Sequence, residues 1–397
     1  MKNTITKLFM FVIAISSISF AGCVKDVDVF QPVAAPVVVN KMKMEVLWSK
    51  GVGSGIGKID AQLSPVFDDN NVYAASRDGD VYAVNKETGS SVWDIDLDDE
   101  DENDDRRSAR LSGGLAIDGE NLFVTSENGY VYCISTIDGS LKWKYYLGIE
   151  INSPVGIGYD RVFVLSINGT LVALETETGK EIWKTGNDNL ILSLRGDSTP
   201  LAIGRDIVLH GTVDGKINIV SQETGVLYNQ LVLGVATGAT KLDRLNDVIS
   251  SPLLISNEIY SIAFKGNLQG LLLPKLDKLW DLNYSSYRDM AYDSTDVAIT
   301  DKNSHIYTIM RMDGSQRWVN TALTYRSVTS PAFLDKYVIV GDYEGYLYFL
   351  DNATGEFCGM FELDSSGLYV NIAVDNDVAY ILSRDGNLYA VKVATEE

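Results

Sequence analysis

The residues from Ser153 to Trp183 read SPVGIGYDRVFVLSINGTLVALETETGKEIW. Three apolar, β-branched runs fill most of this stretch, and they are Pro154–Ile157, Val162–Leu165 and Leu171–Leu174. The pair Asn168-Gly169 between two of these runs is a strong hairpin signal, because both residues of such a turn adopt positive φ. Together with the short run that ends at Trp183, the pattern predicts four antiparallel strands joined by tight turns.

The same pattern recurs along the chain. Further copies are Val72–Trp93, Leu122–Trp143, Ile207–Tyr228, Ile259–Trp280, Ile306–Trp318, Tyr337–Phe357 and Val378–Val393. In the copy Ile207–Tyr228, Tyr228 is expected at the place of the tryptophan. A period of roughly 40 to 50 residues with four strands in each repeat is typical of a β-propeller. The sequence therefore predicts an all-β protein, an eight-bladed β-propeller of four-stranded antiparallel blades.

The last copy lacks an aromatic fourth strand, and the N-terminal part of the chain contains one. Glu45-Val46-Leu47-Trp48 resembles Glu181-Ile182-Trp183 and precedes the first complete copy. We expect this strand to pair with the last blade, because ring closure removes the exposed sheet edges that promote aggregation. Trp48 and the five tryptophans of the other copies account for all six in the chain. Their expected role is packing between blades.

The first residues have the features of a bacterial targeting signal. Lys2 and Lys7 precede the apolar segment Leu8–Phe20, which is too short to span a bilayer comfortably. The following Ala21-Gly22-Cys23 resembles the lipobox of bacterial lipoproteins. We therefore predict a signal peptide at 1–22, a lipidated Cys23 with a flexible tether at 23–42, and the propeller at 43–397. Ordinary secretory cleavage near Ala21 is the alternative.

Charge and cysteine content exclude several classes of function. The net charge of −21 argues against nucleic-acid binding, which depends on Lys and Arg neutralising phosphates. It also argues against adhesion to anionic lipid through a basic patch. Cys133 and Cys358 fall in distant repeats and are expected to be packed, unbridged side chains. No Cys or His cluster has metal-ligand spacing, so we predict no metal, no cofactor and no catalytic residue.

Insertions between the repeats supply the candidate binding residues. The segment Asp94–Arg110 is strongly acidic but lacks the spacing of a calcium loop, and is expected to be a solvated loop. The segment Leu190–Gly196 is apolar and contains Arg195, a combination that is favoured at protein–protein contacts. An interblade cover that buries its own leucines is the alternative. The segment Val235–Asp247 follows the next repeat and should lie beside Leu190–Gly196 on the same face.

Several stretches resemble BamB, a propeller lipoprotein family of the bacterial outer-membrane β-barrel assembly (BAM) machinery. They are Gly51–Gly57, Leu111–Gly114, Leu192–Gly196, Ala236–Thr240, Asp243–Leu245, Gly341–Leu347 and Asp364–Gly367. The resemblance implies a non-enzymatic scaffold, anchored by lipid to the periplasmic side of the outer membrane of a Gram-negative bacterium. It further implies binding to the periplasmic domains of the barrel-forming subunit BamA, beside the other BAM subunits, with nascent outer-membrane proteins as a further candidate partner.

The resemblance also implies which residues bind the partner. They are Leu192, Leu194 and Arg195 in the first loop, and Asp243, Arg244 and Asp247 in the second. The family usually has another acidic residue two positions beyond Asp247, where this chain has Ile249.

Two other functions remain open from the sequence. Pyrroloquinoline-quinone dehydrogenases share the tryptophan-bearing repeat and an eight-bladed ring. Their adjacent-cysteine pair is missing here, and no cluster of Asn, Glu and Asp indicates a calcium and quinone site. The second of these functions is that of a general periplasmic scaffold that binds other proteins.

Overall fold

The strands form eight four-stranded antiparallel sheets and one additional two-stranded hairpin. The computed structural model describes residues 30–58, 61–100, 106–186, 194–235, 237, 239–240 and 244–394. The eight sheets are the blades of one ring, so the predicted all-β, eight-bladed propeller is confirmed. This unit begins at Val33.

In each blade one edge strand lies near the ring axis and the other at the rim, and in every blade except blade 2 the strand near the axis is the shorter one. The first strand of the chain, β1 (Met44–Gly51), belongs to blade 8. Blade 1 consists of β2 (Val66–Phe67), β3 (Asn71–Ala75), β4 (Asp80–Asn85) and β5 (Ser91–Asp96), and blade 2 of β8 (Leu111–Asp118), β9 (Asn121–Ser126), β10 (Tyr130–Ser135) and β11 (Leu141–Tyr146). Blade 3 consists of β12 (Gly156–Ile157), β13 (Arg161–Leu165), β14 (Leu171–Glu175) and β15 (Glu181–Thr185), and blade 4 of β16 (Leu201–Ile203), β17 (Ile207–Gly211), β18 (Lys216–Ser221) and β19 (Leu227–Val232).

Blade 5 consists of β20 (Leu253–Ile255), β21 (Glu258–Ile262), β22 (Leu268–Leu272) and β23 (Asp277–Leu282), and blade 6 of β24 (Ala291–Tyr292), β25 (Asp296–Thr300), β26 (Ile306–Met310) and β27 (Gln316–Asn320). Blade 7 consists of β28 (Ala332–Leu334), β29 (Tyr337–Gly341), β30 (Tyr346–Asp351) and β31 (Phe357–Glu362), and blade 8 of β32 (Ala373–Asp375), β33 (Val378–Leu382), β34 (Asn387–Val393) and β1. The separate hairpin, β6 (Asp98–Glu100) and β7 (Arg106–Ser108), lies between blades 1 and 2 in the chain.

Strand direction divides the loops between the two faces of the ring. Because all strands within a blade are antiparallel, the turn between the second and third strands lies on the same face as the connection to the next blade. Backbone hydrogen bonds join these loops, as in Leu147 N–H to Gly129 O (2.8 Å) and Leu233 N–H to Gly215 O (2.9 Å). We call this side the connection face and the opposite side the hairpin face.

The N-terminal strand closes the ring as predicted. β1 pairs antiparallel with β34, with Trp48 opposite Ala390 and Gly51 opposite Asn387. The fourth strand of blade 8 therefore comes from the start of the chain, and no rim strand of that blade is missing. Ring closure joins the two ends of the propeller in one sheet.

Tryptophans on the rim strands connect each blade to the next. In every case the indole Nε1–H donates to a backbone carbonyl of the following blade at 2.8–3.0 Å; the six are Trp48, Trp93, Trp143, Trp183, Trp280 and Trp318. The ring packs on a turn glycine of that blade. At Gly179, an added Cβ would lie 2.4 Å from Trp143 Cε3, and φ is +67°. The tryptophan and glycine positions are thus coupled across each interface, and the expected packing role is confirmed.

Two of the eight interfaces lack this tryptophan. In blade 4 the strand register places Asn229 opposite Ile219, the position that Trp183 takes opposite Ala173 in blade 3. The expectation that Tyr228 takes the tryptophan place is therefore wrong, because Tyr228 is the bulge residue that corresponds to Ile182 in blade 3, one position before the tryptophan place. In blade 7 the same position is Gly359, opposite Phe349.

The predicted tether boundary also needs correction. The segment 33–43, which includes the whole second half of the predicted flexible tether, contacts blade 7 near both of its ends. Lys41 N–H donates to Cys358 O (2.7 Å), and Asn40 Oδ1 accepts from Met360 N–H (2.8 Å). Met42 covers Gly359, where an added Cβ would lie 2.7 Å from the Met42 sulfur. We call residues 33–43 the arm. Its contacts with blade 7 make it part of the ring.

A buried arginine fixes the start of the arm. Arg326 donates from Nη1 to Val33 O (2.9 Å) and from Nε to Asp342 Oδ2 (2.8 Å), and it also pairs with Glu344. Its side chain is buried, so the guanidinium needs these acceptors to offset its lost hydration. Arg326 thereby joins the arm to a turn of blade 7 on the connection face.

The acidic insertion is shorter than its sequence suggests. Asp94 and Asp96 belong to the rim strand β5, and β6 pairs with β7 in the register Asp98 to Ser108. The ends of the predicted loop are therefore a hairpin, while residues 101–105 lie outside the described residues.

The closing strand gives a stability prediction. The Trp48 side chain is buried, and its indole donates to Lys86 O at 2.8 Å. We expect Trp48→Ala to lower the free energy of unfolding by about 3–5 kcal/mol, as for other large-to-small changes at buried aromatics. Denaturant unfolding measures the change. Leu47→Ala, at an exposed position of the same strand, is the matched control and should cost less than about 1 kcal/mol. Equal unfolding curves for wild type and Trp48→Ala would contradict the role assigned to this strand.

Candidate protein-binding surface

The candidate residues that the structure describes belong to the connections that follow blades 3 and 4, on the connection face. Leu194, Arg195, Arg244 and Asp247 are described, whereas Leu192 and Asp243 lie outside the described residues. Leu194 N–H donates to Asp247 Oδ2. The predicted proximity of the two connections is thus confirmed at this point.

Asp247 lies beneath this surface. Only 2% of the residue is exposed, and its own backbone carbonyl accepts from Phe264 N–H in blade 5 (2.9 Å). Its carboxylate holds the backbone of Leu194 and is not available as an exposed partner for an incoming cation. Within this geometry Asp247 positions Leu194 and Arg195, which are the groups nearer the solvent.

Arg195 connects loops of three successive blades. Its guanidinium pairs with Glu127, in the turn between β9 and β10, and its Nη1 lies 3.1 Å from Glu150 Oε1, in the connection after blade 2. Glu127 also pairs with Arg77 of blade 1. The side chain of Arg195 remains 31% exposed. The two carboxylates orient the guanidinium on the connection face while leaving part of it accessible.

Arg244 is exposed on the connection after blade 4. Its backbone N–H donates to Thr240 O at 3.3 Å. Leu194 is half-buried. The described part of the surface therefore offers one partly exposed leucine and two arginines.

Ile249 is not on the accessible part of this surface. It is buried, and its Cγ2 would lie 3.0 Å from a Cβ added at Gly196. It also lines a small cavity together with Tyr287 and Arg288. Ile249 therefore gives the loop of Arg195 and Gly196 an apolar support.

Sequence reasoning missed the acidic side chains that surround Arg195. Glu127 is the second residue of a hairpin turn, a place that repeat patterns treat as variable, and Glu150 follows the rim strand of blade 2. Only the three-dimensional ring brings these residues to Arg195. The alternation of charge at equivalent turn positions, Arg77 in blade 1 and Glu127 in blade 2, was the one available signal.

Asp197 adds a buried carboxyl group to the same region. Burial raises its pKa to about 7, and the negative charge of Glu150 adds to this effect. Its Oδ2 is buried without a hydrogen-bond partner among the described residues. Burial likewise raises the pKa of Asp247 to about 6, against the hydrogen bond from Leu194 N–H, which lowers it. Both carboxyl groups therefore titrate close to neutral pH.

Nothing in the described ranges indicates metal chemistry. No group of three or more His, Cys, Asp or Glu side chains within residues 30–394, apart from the gaps given above, could hold a metal ion. The described residues also contain no helix long and apolar enough to cross a membrane. Cys133 is buried, Cys358 is half-buried, and neither forms a disulfide.

The raised pKa values predict how stability depends on pH. The folded protein holds these protons more tightly than the unfolded chain, so the two groups add stability below about pH 4 that is lost as pH rises through about 6 and 7. In Asp197→Asn, the fall in unfolding free energy between pH 5 and pH 8 should shrink by roughly 1–3 kcal/mol. Denaturant unfolding at the two pH values measures this difference. Asp206→Asn, at an exposed turn of blade 4, is the control and should leave the pH dependence unchanged. An unaltered slope in Asp197→Asn would contradict the assignment.

Comparison with known proteins places this fold in a family. The family model described as "Outer membrane protein assembly factor BamB" matches residues 37–104 and 77–320. A curated relative of that name from Yersinia pestis is 32% identical over 392 residues, covering 98% of this chain and 99% of the relative.

Solved structures show the same architecture. The crystal structure of BamB from Moraxella catarrhalis has a TM-score of 0.77 at 24% identity, covering 88% of this chain and all of that one. Quinohemoprotein alcohol dehydrogenase from Comamonas testosteroni has a TM-score of 0.67 at 12% identity, covering 90% of this chain and 78% of that one. The second likeness shows the fold alone. The near full-length identity and the family match are specific, and on them the chain belongs to the family of outer membrane protein assembly factors BamB.

Proposed function

We propose that this protein is a non-enzymatic scaffold lipoprotein of the BAM complex that binds the periplasmic domains of BamA. In this role it promotes the folding and insertion of β-barrel proteins at the outer membrane, beside the other subunits. Membership of the BamB family supports the assembly role. The observation that carries the binding proposal is the geometry of Arg195, which two carboxylates hold in place on the connection face while its side chain stays 31% exposed.

The surface around Arg195 suits a protein partner. An arginine held by its neighbours loses little side-chain entropy on binding, and its planar group can donate to carboxylates or backbone carbonyls. Leu194 beside it supplies apolar area, which contributes roughly 25 cal/mol per Å² when it is removed from water. Arg244 and the loop residues Leu192 and Asp243 complete the proposed contact, and Asp247 supports it from below.

An enzymatic role finds no specific support. The likeness to the quinohemoprotein enzyme reaches only 12% identity and concerns the ring. The candidate surface described above is built from loop backbone, arginines and carboxylates in ion pairs. We therefore propose binding, and not catalysis, as the activity of this surface.

The proposed contact predicts the effect of reversing one charge. Arg195→Glu places a third negative group beside Glu127 and Glu150 and removes the proposed donor. We expect at least about 30-fold weaker binding to purified BamA periplasmic domains, equal to the roughly 2 kcal/mol of a hot-spot residue. Titration calorimetry measures the affinity, and a thermal melt of the same sample establishes that the variant is folded.

The control must change net charge equally at a place far from the contact. Lys180→Glu does so, because Lys180 is exposed in a turn on the hairpin face of blade 3. This variant should bind BamA domains within about twofold of wild type, since exposed charges beyond a Debye length of about 8–10 Å are largely screened. Equal losses in the two variants would show that overall charge, and not the Arg195 loop, governs association.

We also propose that Cys23 carries the lipid that anchors the protein to the periplasmic side of the outer membrane. Cys23 lies outside the described residues, and the proposal rests on the apolar segment and the Ala21-Gly22-Cys23 sequence. More than one acyl chain gives stable anchoring. Cys23→Ser should move the protein from the membrane fraction to the soluble periplasmic fraction after a high-salt wash. Cys358→Ser, at a half-buried position, should stay with the membrane. Retention of Cys23→Ser in the membrane would contradict the proposed anchor.

A further inference from the structure

A small cavity lies close to the ring axis, on the side of the connection face. It is lined by residues that precede the first strands of blades 1, 5, 6, 7 and 8, among them Gln62, Ile249, Arg288 and Tyr369. Blades 1 and 5 stand opposite each other in a ring of eight, so their residues can meet only near the axis. We call this space the axial cavity. Its volume is about 50 Å³, whereas a single water needs roughly 10–15 Å³, so it has room for a small group such as a carboxylate.

Arg288 lines this cavity without a counterion. Its side chain is half-buried, and its Nη1 donates to Tyr369 O at 3.3 Å. Its guanidinium lies over the ring of Tyr287, 5.1 Å from the centroid. The Nε atom is buried and has no hydrogen-bond partner among the described residues. This donor has therefore lost hydration on folding without gaining an acceptor, which costs free energy until an acceptor arrives from outside.

A second arginine reaches the same tyrosine from blade 8. Arg384 Nη1 donates to Tyr369 Oη at 3.3 Å, and its guanidinium carbon lies 4.7 Å from the centroid of that ring. Its Nε donates to Gly57 O at 3.2 Å. These contacts of the half-buried Arg384 include no carboxylate. Two guanidinium groups without an acidic partner in the described part of the chain thus converge on Tyr369.

This state is unusual for this protein. The other buried or half-buried arginines of the described ranges each form an ion pair with a carboxylate, and they are Arg77, Arg161, Arg311 and Arg326. In a chain with a net charge of −21, acidic partners are plentiful. The two unpaired guanidinium groups beside the axial cavity are therefore a specific feature of this site.

One acidic residue, Asp289, does line the cavity, and both of its carboxylate oxygens bond within the ring. Its Oδ1 accepts from Ser251 N–H and its Oδ2 from Asn371 Nδ2, each at 2.7 Å. The two guanidinium groups still exceed this single negative charge. A second carboxylate could therefore accept from Arg288 in a charge-assisted hydrogen bond, which is stronger than one between neutral groups.

The axial cavity adjoins the loop of Arg195. Both Gln62 and Ile249 line the cavity, and a Cβ added at Gly196 would lie 3.1 Å from Gln62 Nε2 and 3.0 Å from Ile249 Cγ2. A protein bound on the Arg195 surface would therefore lie beside the opening. Because the cavity holds only a small group, the rest of any ligand must remain outside it. This favours a side chain of a docked protein over a larger free acid.

We propose that the axial cavity binds a carboxylate group, supplied by an Asp or Glu side chain of the BamA periplasmic domains. The choice of this source rests on the proposed function. Arg288 is the main donor, through Nε and the exposed part of its guanidinium, and Arg384 adds positive charge from the other side of Tyr369.

Removing the charge of Arg288 tests the contact. Arg288→Gln keeps a polar side chain with an N–H donor but loses the guanidinium. We expect at least about tenfold weaker binding of purified BamA periplasmic domains to the full chain, because the partner's desolvated carboxylate loses its charged donor. Titration calorimetry measures the affinity, and a melting curve of the same sample establishes that the variant is folded.

Arg205→Gln is the matched control. The guanidinium carbon of Arg205 also lies over a tyrosine, 3.5 Å from the centroid of Tyr159. Arg205 is exposed in the turn between β16 and β17, on the hairpin face. The variant thus removes the same charge and the same type of stacking far from the axial cavity. It should bind BamA domains within about twofold of wild type, since distant exposed charges are screened beyond about 8–10 Å.

NMR of the arginine side chains reports on the cavity directly. In protein with isotope-labelled arginine, the Nε–H signal of Arg288 is identified by its absence from Arg288→Gln. BamA domains should shift this signal and slow its exchange with water, because a carboxylate then accepts from Nε–H. A purely structural role of Arg288 would give neither change. Sodium acetate, as the simplest carboxylate probe, should also shift the signal, whereas sodium chloride at the same ionic strength should not.

Three outcomes would overturn the inference. They are equal affinity of BamA domains for wild type and Arg288→Gln, equal responses of the Nε–H signal to acetate and chloride, and saturation of that signal by micromolar succinate while BamA domains leave it unchanged. In the last case the source of the carboxylate is a free acid. The inference and the proposed function fail separately. Intact binding of BamA domains to Arg288→Gln overturns only the axial contact, whereas a wild-type chain that binds no BamA domains overturns the proposed function.

Discussion

Docking of a rim tryptophan on the next blade is the constraint on which the ring depends. Each indole makes one hydrogen bond across an interface and packs on a turn whose glycine leaves no room for a Cβ. A large aromatic contributes substantial buried area, and the hydrogen bond satisfies its one polar group. Because six of the eight interfaces carry this contact, the spacing of the blades at those interfaces is set locally. Closure by β1 gives the interface between blades 8 and 1 the same contact, through Trp48.

Two interfaces form without this contact, and each is held in a different way. Between blades 4 and 5 both members of the pair are replaced: the tryptophan position is Asn229, and the glycine position is Leu276, with φ of +62°. Between blades 7 and 8 the arm takes over the packing, and Arg326 fixes its first residue. Without the aromatic contact, blade 4 packs on blade 5 through Leu231, and Gln269 Nε2 donates to Val232 O (3.0 Å). At the rim of blade 7, Met42 of the arm covers the tryptophan position. At the rim of blade 4, the strand β19 contains no charged residue and is mostly exposed.

Most of the fold was predictable because each repeat carries its own local signals. Hairpin turns, alternating strands and Trp48 together indicated eight blades and their closure. The errors concern the register of one rim strand and a contact between distant parts of the chain. Asn229 stands at the same distance from Gly225 as Trp183 from Gly179, so the tryptophan place is Asn229 and not Tyr228. No local pattern shows that Asn40 and Lys41 bond a strand more than 300 positions away in the chain. Contacts of that separation depend on the finished ring.

The same limit explains what the sequence could and could not indicate about the candidate surface. Arg195 and Leu194 stand out because an apolar, arginine-bearing segment interrupts the repeat. Their surroundings do not, since Glu127 lies in a turn of blade 2, whereas Glu150 and Asp197 lie in the connections after blades 2 and 3, and the three meet only in three dimensions. A lone exposed arginine on a flexible loop would lose conformational entropy on binding. Arg195 is held between two carboxylates, and the buried Asp247 fixes the adjacent backbone. Its side chain has therefore already lost conformational entropy on folding. A partner must then compete with Glu127 and Glu150 for the guanidinium, so binding favours a surface that adds acceptors to the exposed side of the arginine and leaves its existing ion pairs intact.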